Sequence, residues 1–264
     1  MSKITKLENL KKITKDVESK RNGKEVRCKA IMKELIGNYD FHTVLDVGSG
    51  GVGHPDIFRG LGKEVHTCDM TPQYGPTYLG NFLDIHSEIP DNHYDVIWCS
   101  HTLEHQMNPG IFLSLMKKKL KPGGLLALTV PPMKHYIVAG HVNHWTAGML
   151  LLNLVLVGFD CSEAIIKAPK PEKFQGYPSG VKSIEPYDIS VLVPKNDINW
   201  TQEMVDKMQK EKSDIPLGDT NVHDGMLYLS GAGLQHLKKY FPKYINWVKK
   251  GAKDIQFDGR IGDL

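Results

Sequence analysis

An α/β domain built on a mostly parallel, doubly wound sheet is the fold that this sequence predicts. Three observations carry the prediction. A short β-branched strand runs straight into a glycine-rich turn, further apolar strands alternate with helical stretches, and the composition is that of an ordinary globular protein. With 41% hydrophobic and 24% charged residues, disorder throughout, collagen-like repeats and coiled-coil rods are excluded. The 264 residues suit one large domain with additions. Residues 1–40 read as a helical N-terminal segment, 41–195 as the sheet-bearing core and 196–264 as a charged, helical C-terminal extension.

The elements follow in order. Glu25 to Ile36 places Val26, Ala30, Met32, Leu35 and Ile36 at helical spacing, and Gly37-Asn38 stops the helix. Thr43-Val44-Leu45-Asp46-Val47 is the first strand, Glu64 to Cys68 the second, Tyr94 to Cys99 the fourth and Leu125 to Val130 the fifth. A weak third strand falls near Thr77 to Leu79. Ile111 to Leu120 reads as a helix that Lys121-Pro122-Gly123-Gly124 ends. A helix over about 146–157 and strands near Cys161–Lys167 and Ile189–Val193 complete the core, with a Pro- and Gly-rich loop between those strands. Strands alternating with helices imply a mostly parallel sheet.

Composition also narrows the function. The 33 basic and 30 acidic residues leave a formal charge of +3, too weak a field to argue for nucleic acid by itself. The basic and aromatic residues interleaved over His236–Lys250 read first as a solvated helix. Cys28, Cys68, Cys99 and Cys161 show no CxxC spacing, which disfavours a disulfide framework or a zinc knuckle. The apolar run from Met149 to Val157 is too short to span a bilayer and reads as a core helix. Met1 to Lys6 lacks the apolar stretch of a signal peptide, so a cytoplasmic location without membrane contact is expected.

The chemistry begins at Asp46-Val47-Gly48-Ser49-Gly50-Gly51-Val52-Gly53. Glycines behind a parallel strand let the backbone turn tightly and approach a ligand at the carboxyl edge of the sheet. The same residues satisfy G-x-G-x-x-G, a dinucleotide fingerprint. Asp46, two places before the first glycine, suits a cationic ligand group better than a pyrophosphate. Asp69 closes the second strand, where a carboxylate can accept from both hydroxyls of a ribose or cap a helix. Asp84 follows the third strand, placed to accept from the exocyclic amine of a purine or to sit exposed in a loop.

Taken in order, Asp46-Val47-Gly48-Ser49-Gly50, Asp69, Asp84, Tyr94-Asp95-Val96-Ile97, Leu103-Glu104-His105 and Leu120 to Gly124 resemble class I S-adenosylmethionine-dependent methyltransferases over roughly residues 40–168. The resemblance implies the Rossmann-like methyltransferase fold, with a seven-stranded sheet in the order 3-2-1-4-5-7-6, and S-adenosyl-L-methionine as cofactor. It assigns the glycine loop to the methionine part, Asp69 to the ribose and Asp84 to the adenine amine, and makes Asp46, Gly48, Ser49, Gly50, Met70, Ile85 and Ser100 cofactor-binding residues with them. Val52 stands where many members have a third alternate glycine, which comes one place later as Gly53.

Methyl transfer from a sulfonium is an in-line displacement, so alignment and exclusion of water carry most of the catalysis. A hydroxyl acceptor must also lose a proton, to a general base or with help from a metal. His101, His105, His135, His141 and His144 place five of the twelve histidines within residues 101–144. The candidate bases are His141 and His144, on the loop expected over the transferable methyl group, and His105. A divalent metal on His101, Glu104 and His105 is the minority alternative. These polar loops suggest a small polar acceptor such as a sugar or a nucleotide-linked glycan precursor. Three further readings stay open: a nucleic-acid methyltransferase, a nicotinamide-dependent oxidoreductase and a non-catalytic cofactor-binding protein.

Overall fold

The computed structural model describes residues 2–132, 138, 140–167 and 188–196. Seven strands form one sheet in the order β3-β2-β1-β4-β5-β7-β6, as the resemblance implied. They are β1 (Thr43–Val47), β2 (Glu64–Asp69), β3 (Tyr78–Leu79), β4 (Tyr94–Ser100), β5 (Leu120–Val130), β6 (Ile165–Lys167) and β7 (Ile189–Pro194). The pairs among β3, β2, β1, β4 and β5 are parallel, whereas β7 pairs antiparallel with both β5 and β6. The carboxyl ends of β1, β2 and β4 therefore lie along one edge, and the start of β7 comes up to the same edge beside the end of β5.

Alternation along the strands splits the core into two layers. Leu45, Ile97, Leu126 and Leu128 join one apolar cluster with Phe112, Leu113 and Met116 of α5 (Pro109–Lys119) and Leu150, Leu151 and Leu154 of α6 (Ala147–Leu156). Val44, Val96, Trp98 and Ala127 join the other with Leu10 and Val17 of α1 (Lys3–Lys20), Ile31 and Leu35 of α2 (Lys29–Asn38) and Phe58 of α3 (His54–Gly60). The apolar run beginning at Met149 is thus a core helix, started by Thr146, whose hydroxyl accepts from Met149 N at 3.1 Å. No helix among the described residues is long and apolar enough to cross a membrane.

Three local expectations change. The helix expected over Glu25–Ile36 begins only at Lys29, because Cys28 adopts a left-handed φ of 59° ahead of it. Lys121-Pro122-Gly123-Gly124 lies within β5 rather than ahead of it. The β4–β5 register jumps from Tyr94↔Leu120 to Val96↔Leu125, and these four residues bulge out of the ladder, with Gly123 at φ 73°. Of the strand expected near Cys161–Lys167, only Ile165–Lys167 is extended, and Cys161–Glu163 is a 3-10 turn. All four cysteines are buried free thiols. The C-terminal extension from residue 197, including His236–Lys250, and most of the loop before β7 lie outside the described residues.

Candidate active site

The chain turns sharply where β1 ends. Gly48 and Gly50 take left-handed φ values of 75° and 47°, and a Cβ on Gly48 would lie 2.0 Å from Thr102 Oγ1. Only glycine fits there. The turn is tied to β2 from both sides: Gly48 N donates to Cys68 O at 2.8 Å and Gly50 N donates to Asp69 Oδ2 at 2.8 Å. Asp69 Oδ1 also accepts from Thr71 N at 2.8 Å. Asp69 is therefore the latch that holds the glycine turn against the end of β2, and its second lone pairs remain for a ligand's hydroxyls. It caps no helix in the way its alternative reading proposed.

Asp46 lies one residue before the end of β1, is 1% exposed, and neither of its carboxylate oxygens has a hydrogen-bonding partner. Burial, reinforced by the charge of Asp69 and only partly opposed by Arg59, holds its carboxyl well above the ordinary carboxylate range. A buried acid without a partner is costly unless something else completes it. A cationic ligand group beside the turn supplies what is missing, which a pyrophosphate does not. The left-handed glycine turn with open space at Gly50, the orphaned Asp46 and the free acceptor capacity of Asp69 together fit S-adenosylmethionine.

The other residues assigned to the cofactor are distributed along the same edge. Met70 follows β2 and is 68% exposed. Asn81 starts α4 (Phe82–Ile85) by accepting from Leu83 N, which sets Asp84, exposed, in its first turn and Ile85 half-buried at its end. Ser49 is buried within the turn. The Ser100 hydroxyl is committed elsewhere: it bonds Cys28 Sγ and Thr129 Oγ1, each at 3.2 Å. Sequence reasoning missed Arg21, which donates from Nε and Nη2 to Gly51 O at 3.2 and 2.9 Å and so brings a guanidinium onto the glycine turn. No motif in the sequence pointed to it.

His101 and His105 do not share a helical face. His101 has a left-handed φ of 53°, and the 3-10 turn begins after it, at Leu103. The two rings consequently part. His101 Nε2 bonds Asp188 Oδ1 at 2.6 Å, and Nδ1 stands 3.2 Å from Glu104 Oε1, an ion pair whose geometry falls short of a hydrogen bond. Burial alone would push this ring down. Asp188, Cys28 and Glu104 outweigh it and push it up to about 12. His101 is thus a partly buried imidazolium between two carboxylates, joined through Cys28, which donates to Asp188 Oδ2 at 3.4 Å, to Ser100 and Thr129. Cys28 and Asp188 carried no motif signal, since 160 residues separate them.

His105 turns the other way. Its Nδ1 meets Gly140 O at 2.7 Å, and its ring lies edge-on to His141 with centroids 4.9 Å apart. Because a carbonyl only accepts, Nδ1 carries the proton in the neutral ring and Nε2 keeps its lone pair. The loop of His141 is stitched to the 3-10 turn by Val142 N and Asn143 N, which donate to Glu104 O at 2.9 and 3.1 Å. Two histidine groups that the sequence shows 36 positions apart are thereby joined, with one ligand atom each of Glu104, His105 and His141 within 4.8 Å of one another. His144 is exposed on the same loop, and His135 and Tyr136 lie outside the described residues.

Comparison with known proteins bears on the family and the fold. Residues 14–154 match the methyltransferase domain family. The chain belongs to that family of methyltransferase domains. It is 28% identical over 146 residues to the mitochondrial ubiquinone biosynthesis O-methyltransferase of Schizosaccharomyces pombe, covering 50% of this chain and 52% of that protein. The chain thus spans about half the length of that relative. A SAM-dependent methyltransferase from Archaeoglobus fulgidus shares the fold, with a TM-score of 0.51 at 18% identity over 67% of this chain and 97% of that one. One from Aquifex aeolicus aligns with a TM-score of 0.44 at 19% identity, over 65% and 90% of the two chains.

Proposed function

We propose that this protein transfers a methyl group from S-adenosylmethionine to an oxygen of a small polar acceptor, with His105 taking the acceptor's proton and His141 positioning it. The carrying observation is the union of His105, His141 and Glu104 at the carboxyl edge. Thr102, three residues before His105, touches Gly48 of the cofactor turn. The relative whose name specifies O-methyl transfer supports oxygen as the acceptor atom.

When bound, S-adenosylmethionine supplies an electrophilic methyl group on a sulfonium. The chain's own residues do the rest. The glycine turn and Asp69 fix the ligand's place, and the orphaned Asp46 carboxylate favours its positive charge. The Gly140 carbonyl holds His105 in the tautomer whose Nε2 can receive a proton. Polarity of the two loops supports a hydroxylated acceptor of the sugar or nucleotide-linked glycan type, and the relative's name supports an acceptor from ubiquinone biosynthesis. A second reading rests on the same cluster: Glu104, His105 and His141 holding a divalent cation that acidifies the acceptor hydroxyl.

The test is turnover against a panel of sugars, nucleotide-linked sugars and phenols. With whichever acceptor is turned over, His105→Ala should lower kcat by about 10²–10⁴-fold while S-adenosylhomocysteine affinity stays unchanged. A His105→Ala enzyme as active as the wild type contradicts the assignment.

A further inference from the structure

A second cluster of imidazoles stands at the opposite edge of the sheet, where the strands begin. Glu64 opens β2 and His66 follows two residues later on the same face. His42 directly precedes β1 and His93 directly precedes β4. Three neighbouring parallel strands thus enter the sheet carrying one carboxylate and three imidazoles. The cofactor edge lies a strand's length away, roughly 15 Å at about 3.3 Å per residue.

The side chains converge. His66 Nε2 is 3.7 Å from Glu64 Oε1, and His42 Nε2 is 3.7 Å from Glu64 Oε2. The His66 and His93 rings are parallel within 7°, centroids 6.2 Å apart. One donor atom each of Glu64, His66 and His93 lies within 4.8 Å of the others. Ligands at about 2.0–2.1 Å around a tetrahedral ion stand roughly 3.3 Å from one another, so only small rotations bring these atoms onto one ion.

An ordinary surface ion pair leaves the outer nitrogen of its histidine to water. Here His66 Nδ1 meets Tyr94 OH at 2.9 Å, and Tyr94 OH meets Tyr78 OH at 3.4 Å. Where Tyr94 donates to Tyr78, the Tyr94 oxygen can accept from His66 Nδ1–H. That leaves the lone pair on Nε2, the atom facing Glu64. A histidine held by a hydrogen bond on one nitrogen with the other turned to a carboxylate is the arrangement that orients metal ligands. Glu64 is half-exposed and His93 partly so, which leaves an ion a way in.

We propose that Glu64, His66 and His93 form a binding site for a late first-row divalent ion of the zinc type, with His42 or water as the fourth ligand. Two imidazoles and one carboxylate suit zinc, nickel or copper rather than magnesium or calcium. The ion would tie the amino ends of β1, β2 and β4 together, apart from the methyl-transfer chemistry.

The experiment is calorimetric titration of Zn²⁺ into the full chain, freed of any affinity tag and of metal. It is repeated in a His105→Ala/His141→Ala background, so that an ion held by Glu104, His105 and His141 does not count. One equivalent should bind at micromolar affinity or tighter in that background. Glu64→Gln and His93→Asn should each weaken it by about tenfold or more, and Mg²⁺ in excess should not compete. The zinc-dependent rise in melting temperature should disappear in both variants, and S-adenosylhomocysteine binding should be the same with and without zinc. Absence of zinc binding in that background overturns the proposal and leaves the cluster as a proton-sharing pair. Zinc binding that survives both Glu64→Gln and His93→Asn overturns it as well.

Discussion

The partly buried imidazolium at His101 makes stability depend on pH. In the folded chain it keeps its proton because Asp188 and Glu104 flank it, whereas in the unfolded chain it loses the proton near 6.5. Above pH 6.5 the folded state therefore binds one more proton than the unfolded state, and the stabilisation drains as pH rises toward the folded value of about 12. Each pH unit removes at most about 1.4 kcal/mol. From pH 6.5 to 8.5 the loss should total about 2 kcal/mol, because half of the unfolded rings are still protonated at the start. Urea unfolding at half-unit steps measures it. Nitrogen-15 spectra of the ring at pH 8.5 check the cause, and both ring nitrogens should still carry hydrogen. His101→Gln at pH 7 should cost about 3–5 kcal/mol, as two buried carboxylates then lose their shared partner. A ring that titrates near 6.5, together with stability flat over this window, would refute the reasoning.

Other outcomes follow from the same geometry. Asp69→Ala removes a charged acceptor worth about 1.5–3 kcal/mol, so S-adenosylhomocysteine affinity should fall by roughly 10- to 150-fold in calorimetry. The melting temperature should fall too, since Gly50 N loses its partner. Gly48→Ala should abolish cofactor binding and lower stability by more than 1 kcal/mol, because its Cβ meets Thr102 and its φ is left-handed; an unchanged melting temperature would argue against the turn as described. Asp46 holds its proton well above the ordinary range in the free chain, so binding of a cationic cofactor should release a proton. Calorimetry in two buffers of different ionisation enthalpy reads that release, which Asp46→Asn should eliminate. Chelation followed by Mg²⁺ or Mn²⁺ separates base from metal at His105 and His141: the base reading expects little change, and full loss with full recovery favours the cation.

Much of this could be read from residue order. Asp46 to Gly50 and Asp69 were legible because a parallel strand followed by left-handed glycines leaves a local mark. The strand order came from the family resemblance. What was illegible depends on contacts between distant positions. Leu120 begins β5 ahead of a bulge that reads in sequence as a helix-ending turn, since Pro122 and Gly123 suit both. His101 and His105, four positions apart, would share a face of a helix, and a single left-handed residue separates them. The partners that fix each ring, Asp188 and Gly140, come from β7 and the loop after β5, and no periodicity announces them. Arg21 reaches the glycine turn from the end of α1 for the same reason.

The central claim is that the turn after β1 is built for a cationic adenosyl cofactor. Titration of the full chain with S-adenosylmethionine, S-adenosylhomocysteine and NAD in one calorimetric series tests it most directly. The account predicts micromolar binding of the first two, no measurable binding of NAD, and loss of the former in Gly48→Ala. Tight binding of NAD with none of S-adenosylhomocysteine would contradict it, and with it the role given to the orphaned carboxylate of Asp46.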